Sequence, residues 1–263
     1  MKQVRLQAHR GVSSEYPENT FAAFRAAIRE GYGIIELDHK FTKDNRCVVL
    51  HDRTLNRTAR DRNGNPPAEE LAISDLTLKE AREWDFGLWM GEEFRGEQLP
   101  TLEELLEFIK QQSIPFKFDN VWETFTDEQK EIYLDLIKRA DLGIKLGFTC
   151  RTLENFERVA REFPTAELHW DGNNDEATLE QVAKIAQGRR LTVWVRYENS
   201  LSSWFKGNSA SVDFCRTVKR YGELGIWIIS LEDELVRSVC DFGADAVETT
   251  GHVKPGMLKK ISE

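Results

Sequence analysis

The stretch VRLQAHRGVSSEYPENTFAAFRAAIREGYGIIELDHK, residues 4–40, decides the fold of this chain. It begins with a strand-like run, VRLQAH (4–9), passes into the apolar-periodic segment NTFAAFRAAIREG, and ends in a second strand-like run, GIIELDHK (33–40). A capping Asn or Thr precedes the helical segment and a glycine closes it, as is typical of helix ends. The stretch therefore predicts a unit of strand, helix and strand.

The same alternation continues to the end of the chain, where further strand-like runs are separated by charge-rich stretches with helical spacing. Eight such units in about 260 residues match a (β/α)8 barrel, whereas a doubly wound open sheet usually has fewer strands. No fixed repeat and no Pro/Ser-rich hinge divides the chain. We therefore predict an α/β protein with a single TIM-barrel domain over residues 1–263. The further runs are IPFKFD (114–119), IKLGFTC (144–150), AELHWD (166–171), LTVWVRY (191–197), GIWIIS (225–230) and ADAVET (244–249).

Another strand-like run, RCVVLHD (46–52), does not fit the barrel count. It follows the second strand too closely for a helical crossover, so we expect it to form an antiparallel β-hairpin with that strand. With Asp44-Asn45 as a two-residue loop, the register places His51 opposite Asp38. The stretch that follows, about 53–100, is longer than an ordinary connection and is predicted to be a small insertion that walls the pocket.

Composition limits the classes of function. The chain carries 36 basic and 45 acidic residues, and its formal charge of -9 argues against a nucleic-acid partner, because binding to phosphate backbones depends on clustered Lys and Arg. No run approaches the ~18 apolar residues of a membrane span, and no apolar leader follows the first methionine. Four scattered cysteines suit reduced thiols. We expect a cytoplasmic protein without an integral membrane segment that acts on a small molecule, and its oligomeric state is left open.

The first strand ends in His9, Arg10 and Gly11, and the C-terminal ends of barrel strands face the active site. Arg10 offers a planar fork that matches a phosphate, and His9 can transfer a proton near neutral pH. The following PENT motif contains Glu18. Helix capping by its Asn or Thr explains this motif about as well as catalysis does.

Glu36 and Asp38 are two residues apart on a strand, so both side chains point to the same face, which in a barrel is the interior. Two neighbouring carboxylates repel one another unless a cation or an arginine neutralises them. The pair therefore suggests a hard divalent metal ion with oxygen ligands, and a salt-bridged pair is the alternative. The hairpin brings His51 to the same place, so residues from separate segments converge on one site.

These residues belong to a recognisable pattern. The stretch AHRGVSSEYPENTFAAFRAAIREGYGIIELDHKFTKDNRCVVLHDRTLNRT (8–58) resembles the signature of the glycerophosphodiester phosphodiesterase family, with HRG, PENT, an ExD pair, a TKD turn, and HD followed by L-x-R-T. A looser resemblance continues through LPTLEELLEFI (99–109), IWIIS (226–230) and GADAVETTGHVKPG (243–256).

The resemblance implies roles for the candidate residues. His9 and His51 would be the general acid/base pair of a phosphoric diester hydrolase, and Arg10 would bind the phosphate. Glu18, Glu36 and Asp38 would border or bind a divalent cation, Ca²⁺ or Mg²⁺. The implied substrates are glycerophosphodiesters, which would be cleaved to glycerol 3-phosphate and an alcohol.

The third barrel strand departs from the family pattern. Where the family usually reads I-E-I-K, this chain has Phe116, Lys117, Phe118 and Asp119. Alternation predicts that the phenylalanines point outward to the helices, while Lys117 and Asp119 face inward with their charges exchanged. In one arrangement Asp119 binds the metal ion while Lys117 pairs with Glu36 and approaches the phosphate. In the other, the Lys117 ammonium replaces the metal ion.

Three further residues have weaker claims to a place in or beside the substrate pocket. His169 faces the interior only if its neighbour Trp170 points outward. Trp227 resembles a family tryptophan and would line a glycerol pocket, although a core position is equally compatible with the sequence. His252 follows the last strand, where loops of such barrels often contact phosphate.

Two other functions stay open. A lysophospholipase D-type phosphodiesterase would be favoured by a large exposed apolar rim, for which Trp84, Phe86, Trp89 and Phe94 are candidates. A non-catalytic phosphate- or glycerol-binding barrel would result if Lys117 had abolished metal binding. Activity that depends on a divalent cation would distinguish these possibilities.

Overall fold

The computed structural model describes residues 4–119, 122–197 and 207–262. Within these ranges the strands are β1 (Arg5–His9), β2 (Ile34–Leu37), β3 (His39–Phe41), β4 (Cys47–Val49), β5 (Phe116–Phe118), β6 (Leu146–Cys150), β7 (Glu167–Trp170), β8 (Leu191–Arg196), β9 (Glu223–Ile229) and β10 (Ala246–Thr249). The α-helices are α1 (Phe21–Glu30), α2 (Leu78–Ala81), α3 (Leu102–Lys110), α4 (Asp127–Ala140), α5 (Leu153–Glu162), α6 (Glu176–Ala186), α7 (Val212–Val218), α8 (Glu232–Cys240) and α9 (Pro255–Ser262). Short 3-10 helices cover Ile73–Asp75, Glu92–Phe94 and Gly143–Lys145.

Eight of the strands form a closed barrel in the order β1, β10, β9, β8, β7, β6, β5 and β2, and each pairs in parallel with its neighbours. Each of the eight strand-like runs read from the sequence overlaps one barrel strand, so the predicted TIM barrel is confirmed. The register aligns His9 with Glu36 and Glu36 with Lys117. Three residues with site chemistry therefore lie side by side on neighbouring strands.

The helices begin at the polar caps that the sequence provides. The Thr20 side chain accepts a hydrogen bond from the Ala23 backbone at the start of α1, and Gly31 ends that helix with a φ of 84°. The apolar faces of the helices cover the outward faces of the strands. Phe116 and Phe118, for example, contact aromatic rings from α1, α3 and α4. No helix in the described ranges is both long enough and apolar enough to cross a membrane.

The strands β3 and β4 form the predicted antiparallel hairpin, but its register differs from the prediction. The loop has three residues, 43–45, and Asn45 adopts a left-handed φ of 53°. The backbone of Asp38 consequently faces Leu50, whose N–H donates to the Asp38 carbonyl at 3.0 Å. The prediction that His51 lies opposite Asp38 is wrong, because the extra loop residue shifts the pairing by one position.

The insertion at 53–100 packs against the hairpin around a second, smaller apolar cluster. Val48 and Leu50 join this cluster from β4 and the residue that follows it. The insertion thus extends the hairpin as a compact unit beside the barrel. The other buried members of the cluster are Leu55, Ala59, Ile73, Ala81, Phe86 and Leu99.

Candidate active site

A cavity of about 490 Å³ opens at the C-terminal ends of the barrel strands. The structure brings most of the residues singled out in the sequence to its wall. The candidate residues that line it are His9, Arg10, Glu36, Asp38, His51, Lys117, Asp119 and Trp227.

Three carboxylates form an acidic cluster in this cavity. One oxygen atom each of Glu36, Asp38 and Asp119 lies within 4.8 Å of the others. Burial, followed by the charges of Asp38 and Asp119, raises the pKa of Glu36 well above its ordinary value. Oxygen ligands at this spacing suit a hard divalent cation, whose charge would relieve the repulsion. The residues present therefore fit such an ion.

His9 lies at the edge of the acidic cluster. Its Nε2 atom is 4.0 Å from a carboxylate oxygen of Glu36, and the two residues are neighbours in the register of β1 and β2. Burial, followed by the positive charges of Arg10 and Lys117, lowers the pKa of His9 well below its ordinary value. The imidazole is therefore neutral at pH 7 and able to accept a proton.

His51 reaches the cavity from the segment after β4 and is oriented by its own neighbour. Its Nδ1 atom lies 2.6 Å from an oxygen of Asp52, and the other Asp52 oxygen accepts a hydrogen bond from Arg57 Nε at 2.7 Å. The hydrogen bond with His51, together with that from Arg57, lowers the pKa of Asp52. An ionised Asp52 thus fixes the ring of His51.

Arg10 is held by carboxylates on two sides. Its Nε lies 3.3 Å from Asp38, and one of its terminal nitrogens donates to Glu18 at 3.1 Å. Its backbone has a left-handed φ of 59°, and its backbone N–H donates to Glu36 at 2.9 Å. Strained backbone of this kind persists where the surrounding structure enforces it, and here it ties the guanidinium to the acidic cluster.

Glu18 does not line the large cavity, although it was predicted as a pocket residue. Its two oxygens accept hydrogen bonds from Arg57 at 2.6 and 2.7 Å while it also pairs with Arg10. The expectation that the insertion walls the cavity is also wrong, because none of its described residues, 53–100, lies on the wall. The insertion contributes through Arg57, which supports Glu18 and Asp52 from outside.

Lys117 faces the interior, as alternation along β5 predicted. Its ammonium lies 3.1 Å from Asp119, 3.7 Å from Glu248 and 4.7 Å from the centre of the Trp194 ring. The described ion pairs of Lys117 therefore involve Asp119 and Glu248, so the arrangement in which Lys117 pairs with Glu36 is not found. Burial would raise the pKa of Asp119, but the adjacent ammonium outweighs this effect and lowers it.

Two residues with weaker support from the sequence, His169 and His252, lie outside the cavity wall. His169 is buried inside the barrel but does not line the cavity, and it instead accepts a hydrogen bond from the Trp194 indole at 3.1 Å. Trp170 points outward against Phe156, as the interior position of His169 required. His252 is exposed and is not among the lining residues.

Several lining residues were missed in the sequence. Glu248, Trp194 and Asp171 lie on or directly after barrel strands, and the same alternation that found Lys117 could have found them. Burial, together with the charge of Asp119, raises the pKa of Asp171 to about 7. Loop residues carry no such periodic signal. Those that line the cavity outside the strands include Glu123, Thr124 and Arg151.

Comparisons with known proteins identify relatives of this chain. The sequence model of the glycerophosphoryl diester phosphodiesterase family matches residues 9–249. A glycerophosphodiester phosphodiesterase of Caldanaerobacter subterraneus subsp. tengcongensis is 47% identical over 102 residues, which are 39% of each protein. One of Bacillus subtilis is 26% identical over 200 residues, covering 69% of this chain and 66% of that protein. The alignment with the first relative thus spans well under half of its length.

Solved structures show the same fold. A phosphodiesterase of Oleispira antarctica, solved in complex with the product sn-glycerol-3-phosphate, superimposes with a TM-score of 0.76 at 22% identity over 98% of this chain and 96% of that one. A glycerophosphodiester phosphodiesterase of Thermotoga maritima gives a TM-score of 0.64 at 21% identity over 96% of each chain. With the family match extending over nearly the whole sequence, the chain belongs to the glycerophosphoryl diester phosphodiesterase family.

Proposed function

We propose that this chain hydrolyses glycerophosphodiesters to glycerol 3-phosphate and an alcohol. The observation that carries the proposal is that His9, His51 and Arg10 share one cavity with a cluster of three carboxylates. Cleavage of a phosphodiester requires a proton acceptor, a proton donor and positive charge beside the phosphate oxygens. The complex of the structurally similar Oleispira antarctica phosphodiesterase with sn-glycerol-3-phosphate supports this choice of product.

The two histidines have different surroundings, which suggest different roles. His9 has a lowered pKa and is neutral at pH 7, so it accepts a proton from the attacking water molecule. The ionised Asp52 beside Nδ1 of His51 accepts a hydrogen bond from that nitrogen and fixes the orientation of the ring. We assign the second role to His51, which in its doubly protonated form gives the Nε2 proton to the departing alcohol oxygen while Nδ1 stays bound to Asp52.

Positive charge is supplied from two sides of the cavity. Arg10 presents a fork whose orientation is fixed by Asp38 and Glu18, and Lys117 presents an ammonium from β5. The acidic cluster would hold a divalent cation, Ca²⁺ or Mg²⁺, which when bound polarises the phosphate oxygens. Trp227 lines the same cavity and offers an apolar surface to the glycerol carbons.

The remaining wall favours a polar alcohol over an acyl chain. Glu123, Thr124, Arg151 and Asp171 contribute polar or charged groups from the ends of β5, β6 and β7. Of the four aromatic residues at 84–94 that were candidates for an apolar rim, Phe86 is buried and the other three are half-buried, and none of them lines the cavity. We therefore place water-soluble glycerophosphodiesters ahead of lysophospholipids as substrates.

A hydrolysis assay tests this proposal. Purified protein would be incubated with glycerophosphocholine or with lysophosphatidylcholine, in the presence of Ca²⁺, Mg²⁺ or chelator. Glycerol 3-phosphate would be measured by a coupled dehydrogenase, and choline, which both substrates release, by a coupled oxidase. We expect release of glycerol 3-phosphate that depends on a divalent cation and a much slower reaction with lysophosphatidylcholine. Binding of glycerol 3-phosphate without turnover under any of these conditions would instead indicate the non-catalytic binding barrel.

A further inference from the structure

Glu248 is a buried carboxylate inside the barrel and has no role in the mechanism described above. It lies on β10 and is 5% exposed. Gln7, its neighbour in the register of β1, donates a hydrogen bond to it from the side-chain amide. The Lys117 ammonium is 3.7 Å from the same carboxylate oxygen of Glu248, Oε2. Because Lys117 extends from β5, the two side chains meet across the interior, past β1 and β2.

Lys117 is a potential competitor of a bound cation. Lys117 is the register partner of Glu36, and its ammonium is 3.1 Å from Asp119, one of the three clustered carboxylates. The Trp194 indole also lies beside the Lys117 ammonium, and the hydrogen bond that this indole donates to His169 holds it in place. If Asp119 were the sole carboxylate paired with Lys117, the ammonium would neutralise the charge that Asp119 needs to bind a divalent cation.

We infer that Glu248 is a positioning residue that balances the charge of Lys117 and so keeps Asp119 available to a divalent cation. The inference rests on the proposed function, because it concerns the ion site of that mechanism. It also explains how this barrel accommodates the exchanged lysine and aspartate on β5. When all of these groups are ionised, the cluster of Glu36, Asp38 and Asp119 supplies three negative charges, and the pair of Lys117 and Glu248 adds no net charge.

Burial strengthens the electrostatic interaction between Lys117 and Glu248. Lys117 is only 4% exposed, so water screens its charge weakly. Burial raises the pKa of Glu248, and the nearby ammonium opposes that rise. Replacing Glu248 by glutamine preserves the shape of the side chain and an acceptor for Gln7 while removing the negative charge. The substitution therefore isolates the electrostatic contribution.

The test is isothermal titration calorimetry with Ca²⁺ and with Mg²⁺ on the full chain. We expect Glu248→Gln to weaken the binding of the cation that the parent prefers by on the order of 10- to 100-fold. The matched control is Glu223→Gln, which changes a carboxylate at the opposite end of the barrel that pairs with Arg5 and Arg190. That control should bind the ion as the parent does.

A second variant keeps the inference testable if Glu248→Gln folds poorly. In Lys117→Met/Glu248→Gln both charges of the pair are absent, and ion affinity should return to within about threefold of the parent. Parent-like ion affinity in a folded Glu248→Gln protein, or no recovery in the double variant, would overturn the inference. If the parent binds no divalent ion, the inference fails too, whereas hydrolysis of glycerophosphocholine by the parent separately decides the proposed function.

Discussion

His9 and His51 reach the same cavity from β1 and from the segment after β4, and the proposed mechanism needs both. We expect His9→Ala and His51→Ala each to lower kcat by a factor of roughly 10² to 10⁴, because proton transfer by a positioned side chain contributes about that much. Steady-state kinetics with glycerophosphocholine measures the effect. Far-UV circular dichroism would verify that each variant retains the fold.

His252→Ala is the matched control, since this exposed histidine follows β10 and does not line the cavity. It should retain the parent turnover. Parent-like rates in both His9→Ala and His51→Ala would remove the acid/base proposal. A loss in only one of them would show that a single histidine, or water, carries the proton transfers.

Glu36 is expected to reduce the stability of the metal-free protein at neutral pH. Burial and the neighbouring carboxylates raise its folded-state pKa above its ordinary value near 4.5. The folded state therefore holds its proton more tightly than the unfolded chain, and the free energy of unfolding falls as pH rises from about 4.5 toward the raised value. Glu36→Gln should accordingly be more stable than the parent at pH 8 in the presence of chelator.

Thermal unfolding at pH 8 and at pH 4 checks this expectation. We expect the variant to melt a few degrees above the parent at pH 8, where about 1 kcal/mol corresponds to roughly 2–4 °C, and to match it near pH 4. The pH 4 comparison serves as the internal control, because both side chains are then neutral. A variant that is less stable than the parent at both pH values would contradict a raised pKa for Glu36.

The Trp194 ring on β8 packs over Gly225, its register partner on β9. A Cβ atom added to Gly225 would be 2.5 Å from Trp194 Cε3, so the ring would have to move. That ring lies beside the Lys117 ammonium and lines the cavity. We expect Gly225→Ala to lower the free energy of unfolding by about 1–3 kcal/mol, as overpacking usually does, and to reduce kcat/KM.

Urea unfolding and hydrolysis kinetics measure the two effects. Gly256→Ala is the control, because Gly256 lies in α9 and an added Cβ would meet no atom within 4 Å. It should be neutral or stabilising by up to about 1 kcal/mol with unchanged kinetics. Parent-like stability and activity of Gly225→Ala would show that the Trp194 ring tolerates a side chain at position 225.

The acidic cluster joins two neighbouring barrel strands, since Glu36 lies on β2, Asp38 follows it, and Asp119 follows β5. A divalent cation bound there would favour the folded chain over the unfolded one. At a free ion concentration of about 100 Kd the gain is about 2.7 kcal/mol, which predicts a rise in Tm of roughly 5–10 °C. Differential scanning calorimetry with chelator, Ca²⁺ or Mg²⁺ measures it.

The variant Asp75→Asn is the control for nonspecific ion effects, because Asp75 is an exposed carboxylate in the insertion. It should show the same rise in Tm as the parent, whereas Asp119→Asn should show little. An equal rise in Asp119→Asn and the parent would place the stabilising ion elsewhere. Identical melting of the parent with chelator and with either ion would contradict a bound divalent cation.

The amino-acid sequence by itself determined the barrel and the direction of its key side chains. Strand and helix periodicity depends on local spacing, so the eight strands, the outward Phe116 and Phe118, and the inward Lys117 and Asp119 could be predicted. The spacing of Glu36 and Asp38 likewise placed both carboxylates in one interior cluster.

Only the tertiary structure decided which of these groups meet. Lys117 pairs with Glu248, which is far away in the sequence, because barrel closure places β5 and β10 around one interior. Glu18 binds Arg57 because the insertion folds back on the hairpin, whose three-residue loop also set the register. Such contacts depend on closure, loop geometry and side-chain rotamers, which local periodicity does not encode.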